Sequence, residues 1–103
     1  MTTLEKVRRL EQYVAVSSAA IDPVLGMSID KLLTRETVRL FGLKARLANQ
    51  LSRFEKSYDL KSVDFYTRYE NGEMGDKMDF IEWAATVEML ANADKRLALL
   101  GGN

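Results

Sequence analysis

The stretch SIDKLLTRETVRLFGLKARLANQLSRFEKSY, residues 28–58, decides the fold. Within it Ile29, Leu33, Leu40, Leu43, Leu47, Leu51, Phe54 and Tyr58 recur at spacings that alternate mostly between three and four. On a wheel of 100° per residue they occupy an arc of about 80°, the pattern of a coiled-coil seam. As one helix the stretch spans about 45 Å at 1.5 Å per residue. A compact domain of this size has a radius of gyration of only about 13 Å. The sequence therefore predicts an elongated molecule whose stripe is covered by its own helices or by a second copy, and a homodimer is expected. Glu36 lies at the angle of the stripe, and a carboxylate there needs a partner. Arg39, three residues on, is the nearest in sequence.

The rest of the chain also reads as helix. A first helix is expected from about Thr3 to Ser18, with Val7, Leu10, Val14 and Ile21 in a narrow arc and Glu5, Arg8, Arg9 and Gln12 outside it. Asp22-Pro23 resets the chain, with Asp22 as candidate N-cap and Pro23 at the first helical position. The long helix thus begins between Pro23 and Ser28 and runs to Tyr58. Ser62 is suited to cap a short helix over Val63–Glu70, and Asn71-Gly72 to stop it. Asp76 is placed to cap a last helix from Lys77 to about Leu100, with Asp79 near its positive end. On that helix Phe80, Trp83, Ala84, Val87, Leu90, Ala91, Leu97 and Ala98 share a face, Asp94 intrudes on it, and Gly101-Gly102 ends it. No period-two alternation appears. The expected fold is all-α: an elongated helical bundle or hairpin with one long coiled-coil-like helix, in a single domain over residues 1–103.

Composition narrows the function. The 103 residues include no Cys and no His, which excludes a disulfide framework, a thiol nucleophile, a Ser-His triad and the common zinc sites. At 47% apolar and 29% charged the chain can fold. Its longest uncharged run, Gln12–Ile21, falls well short of the roughly 20 residues of a membrane span. With no basic leader before an apolar core, a cytoplasmic protein is expected. The 15 basic and 15 acidic residues balance in total but are segregated. Residues 31–61 carry eight basic and three acidic side chains, residues 64–94 two basic and eight acidic. Such asymmetry suits self-complementary packing or two different partner surfaces. Arg35, Arg39, Arg46 and Arg53 form a ridge beside the apolar stripe. It could meet phosphates, an acidic protein or the acidic last helix. Neutral net charge and the lack of a DNA-reading helix-turn-helix disfavour nucleic acid.

The candidate site is DFYTRYENGEMGDKMDFIEW, residues 64–83, dense in aromatic rings and with acids at 70, 73, 76, 79 and 82. The acids lack the order of a calcium loop, and acids in a first helical turn are favoured by the helix dipole alone, so no metal and no cofactor are expected. Tyr66, Arg68 and Tyr69 admit a histidine-free nuclease. The plainer reading is that the rings fill the corner where the last two helices fold onto the long one, with Arg68 paired to Glu70, Glu73 or Asp76 or stacked on a ring. Glu73-Met74-Gly75 is no phosphate loop. Nothing in the residues argues for catalysis.

Over roughly Asp22 to Leu100 the chain resembles small helical proteins encoded beside toxins in prokaryotic toxin–antitoxin operons. The resemblance rests on Asp22-Pro23-Val24-Leu25, on Lys31-Leu32-Leu33 opening a long charged helix, and above all on the string Asp64-Phe65-Tyr66-x-Arg68-Tyr69-x-x-Gly72-Glu73-x-Gly75-Asp76-x-x-Asp79-Phe80-x-Glu82-Trp83. It implies a non-catalytic antitoxin that binds and neutralises a cognate toxin. A basic, RNA-cleaving toxin would suit the acids. The partner-binding residues expected on this basis are Phe65, Tyr66, Arg68, Tyr69, Glu73, Asp76, Asp79, Glu82 and Trp83. The alternative is a homodimeric coiled-coil scaffold or adaptor that uses the long stripe and has no toxin partner.

Overall fold

The computed structural model describes residues 1–17 and 22–101. Among these described residues four helices follow in order: α1 (Thr3–Val16), α2 (Pro23–Tyr58), α3 (Ser62–Glu70) and α4 (Met78–Leu99). The fold is all-α, and no helix among the described residues is long and apolar enough to cross a membrane. Ser18, Ile21 and Gly102, which figured in the expected helix ends, lie outside the described residues. The chain divides into two compact units, Met1–Thr34 and Arg35–Asn103.

In the first unit α1 opens with a capping box. The Glu5 N–H donates to Thr2 Oγ1 at 3.1 Å, and the Thr2 N–H donates to Glu5 Oε1 at 3.3 Å. None of its residues is buried. The long helix begins at the early limit of its expected range. Asp22 Oδ1 accepts from the Val24 N–H at 2.9 Å, and Pro23, with no N–H to satisfy, takes the first helical position.

The second unit is an antiparallel hairpin of α2 and α4 with α3 at its closed end. Tyr58 donates to Asp79, the Phe54 ring stacks on Trp83, and Lys44 pairs with Asp94 at 2.8 Å. Glu36 and Leu40 share a groove with Leu99 and Leu100 where α4 stops. Thus α4 of the same chain covers Leu40 and Leu47, which are buried, and half-covers Leu43, Leu51, Phe54 and Tyr58. That part of the stripe does not itself need a second copy. Glu36 pairs with Arg39 at 3.3 Å, and its side chain is 42% exposed, so its charge keeps access to water at the groove edge.

Three local expectations are corrected. Ser62 does not cap α3: Lys61 holds the N-cap position, because the Ser62 hydroxyl accepts the Trp83 indole N–H at 2.9 Å and its own N–H goes to Glu55 Oε2 at 2.7 Å. Asp76 does not cap α4, which starts one residue later. Lys77 is the N-cap, held over the Tyr58 and Phe80 rings at 5.0 and 5.6 Å. On α4 Ala91 and Ala98 are exposed, and Thr86 and Ala93 are buried in their place. The inward line runs Trp83, Thr86, half-buried Leu90, Ala93, Leu97, a step of three and four that drifts away from a strict 100° wheel. Thr86 Oγ1 is satisfied by the Glu82 carbonyl at 2.8 Å.

Candidate functional site

The corner at residues 58–83 is built by two chain reversals. Asp59, at φ 50°, ends α2, and the Leu60 N–H reaches back to the Glu55 carbonyl. After α3, Gly72 adopts φ 74°. Its N–H donates to the Tyr69 carbonyl, and the Glu73 N–H donates to the Arg68 carbonyl at 2.9 Å. This is the Schellman closure that a glycine past a helix end permits. Gly75, at φ 76°, turns the chain again into α4.

Inside these reversals lies an aromatic stack. Phe65 and Trp83 are fully buried and nearly parallel, with centroids 3.9 Å apart and planes within 2°. Phe54 and Tyr58 stack against Trp83 from α2, while Phe80 and Tyr69 tilt against Phe65. Met74 and Leu60 close the cluster from the loops. The packing reading of the rings therefore describes this corner. Phe65 and Trp83, expected as partner contacts, are core residues that a partner cannot touch in the folded protein.

The other expected residues separate by exposure. Tyr66, Tyr69 and Asp79 are half-buried, while Arg68, Glu73, Asp76 and Glu82 are exposed. Asp79 is occupied by the Tyr58 hydroxyl. Tyr66 donates to Glu88 Oε1 at 2.9 Å, and that bond to a carboxylate holds its hydroxyl above the usual tyrosine range. Hydrogen bonding and charge at the Tyr58 hydroxyl likewise raise Lys77. Arg68 forms neither the expected ion pair nor a ring stack among the described residues. The ion pairs there are Glu36–Arg39 and Lys44–Asp94, so Glu70, Glu73, Asp76 and Glu82 stand without a cation. No group of three or more acidic side chains among the described residues is placed to hold a metal ion.

What this corner can do chemically is present negative charge on a stiff frame. Met74 is anchored in the aromatic cluster, and Glu73 and Asp76 flank it on the exposed side of the loop. Sequence reasoning missed Met74 as the anchor. It also missed the outward apolar side chains Met78 and Ile81, 65% and 42% exposed, beside Glu82. The i, i+3, i+4 spacing of these three was the available signal. Comparison with protein-family models, curated proteins and solved structures finds no match to this chain.

Proposed function

We propose that the protein is a non-catalytic, homodimeric antitoxin that binds a cognate basic toxin, a ribonuclease being the chemistry an acidic cover suits, and neutralises it through the exposed rim of this corner. The observation that carries the reading is the uncompensated charge of Glu73 and Asp76 on a loop fixed by two positive-φ glycines and anchored by Met74. Fixed, unpaired carboxylates raise the encounter rate with a basic surface without an ordering cost on binding. Arg68 and Glu82 are exposed as well, while Asp79 and Tyr66 are tied to Tyr58 and Glu88 and Tyr69 packs on Phe65. Phe65 and Trp83 contribute by making the frame rigid.

The test is co-purification with the product of the adjacent gene. The double variant Glu73→Lys/Asp76→Lys should fold as the wild type does, because both side chains are exposed, and should lose most of the complex. Undiminished complex formation would move the binding site elsewhere. The scaffold reading draws on a different observation. Leu4 and Val7 of α1 are 59% and 55% exposed, and no residue of that helix is buried, so its apolar face is available to a partner helix. An unrelated neighbouring gene and a protein that only self-associates would favour it.

A further inference from the structure

We propose that the outer face of α4 is the self-association surface: two copies join with their α4 helices antiparallel, about a two-fold axis near Ala85 and Met89. This deepens the homodimeric part of the reading above and is independent of the toxin. Helix α4 is apolar along two lines. One faces α2; the other runs Met78, Ile81, Ala85, Met89 and continues to Asn92 and Arg96, at helical spacings that keep it on one face. Met89 is 56% exposed, as uncovered as Met78 and Ile81. Leu43 of α2 borders this line across an open groove of about 550 Å³ that Ala85, Met89, Asn92 and Arg96 also line, with Glu88 at its edge, where its carboxylate accepts from the Tyr66 hydroxyl. A helix with apolar surface on two sides is built to be covered on both.

Charge decides what covers it. At the C-terminal end the groove passes into a second one of about 400 Å³, where Arg39, Arg46 and Arg96 surround Leu40 and Leu43. Glu36 compensates Arg39; Arg46 and Arg96 have no ion pair among the described residues. At the N-terminal end of the line stands Glu82, which has no ion pair among the described residues either. A uniformly basic or acidic partner would match one end and be repelled by the other. A second copy laid antiparallel matches both. With Ala85 opposite Met89 of the other copy, Arg96 falls opposite Met78, about one turn from Glu82 of that copy. Parallel packing would put arginine against arginine. An isologous contact of this kind closes on itself, and four helices from two hairpins give a bundle with Leu43, Ala85 and Met89 at its centre. The small side chain of Ala85 lets the two helices approach closely.

Sedimentation of the full chain tests this, with far-UV circular dichroism and Trp83 fluorescence as controls for folding. The wild type should be a dimer at micromolar concentration. Met89→Glu, which places two carboxylates across the axis, should be a folded monomer. Glu82→Arg and Arg96→Glu should each weaken the dimer at least about tenfold, and their combination should restore it, since each copy then offers the reversed charges to the other. A monomeric wild type overturns the proposal. So does a dimer indifferent to Met89→Glu, or a double variant no tighter than the singles. The toxin reading is scored separately by Glu73→Lys/Asp76→Lys. If the α4 variants abolish toxin binding and leave self-association unchanged, this face belongs to the toxin and the proposal falls.

Discussion

Trp83 reports on the packing of the corner most sharply through its bond to Ser62. The indole is fully buried, stacked on Phe65, Phe54 and Tyr58, and its N–H has the Ser62 hydroxyl as acceptor at 2.9 Å. Trp83→Ala removes the largest buried side chain and should cost about 3–5 kcal/mol, much of the stability of a domain this small. That variant tests little beyond burial. Ser62→Ala is more discriminating, because it leaves the stack intact and strands a buried N–H, at about 1–3 kcal/mol. Trp83→Phe loses the bond and part of the stack, at about 1–2 kcal/mol. The double variant leaves no donor without an acceptor. It should therefore be more stable than the sum of the single effects predicts, by about 1 kcal/mol. Urea unfolding followed by far-UV circular dichroism measures all three variants, and the single Trp adds a fluorescence probe for Ser62→Ala. Strict additivity, or a Ser62→Ala variant as stable as the wild type, would refute the claim that Ser62 serves the indole.

Other consequences are as direct. Asp59→Gly relieves a non-glycine residue at φ 50° and should raise stability by about 0.5–1 kcal/mol, read as a higher urea midpoint. Leu47→Ala, at a buried seam position, should cost about 2–5 kcal/mol, whereas Lys44→Ala should cost no more than about 1 kcal/mol and less in high salt, its pair being half exposed. The Tyr66 hydroxyl should titrate above its ordinary range in an ultraviolet absorbance titration. A raised pKa means that the Tyr66–Glu88 bond contributes fully below the unfolded-state value of about 10 and is lost as pH rises through the folded one. Tyr66→Phe should remove that alkaline dependence.

The long helix was legible because its apolar line is sustained over many turns and its start is punctuated by Asp22-Pro23. The Glu36–Arg39 pair followed from spacing alone. The caps of α3 and α4 were not legible, since Ser62 and Asp76 are good capping residues by type. Ser62 is claimed by Trp83, twenty-one residues away, and the Lys77 side chain is held by rings from α2 as well as α4. Tertiary partners outbid local preference at both places. The aromatic residues of the candidate site were found, but sequence could not sort them. Only the packing distinguishes Phe65 and Trp83, sealed in the core, from Glu73 and Asp76 on the rim. The second apolar line of α4 was hidden because Glu82, Glu88 and Arg96 interleave with it.

Neutralisation of a toxin by the rim is read out as growth. Cells induced for the adjacent gene product alone, with the wild-type chain, and with the Glu73→Lys/Asp76→Lys variant are compared, with the folded level of each chain measured in the same cultures. Growth should arrest without the protein, be rescued by the wild type, and arrest again with the charge-reversed variant at equal folded level. Equal rescue by wild type and variant, or no arrest by the adjacent product at all, would contradict neutralisation by the rim.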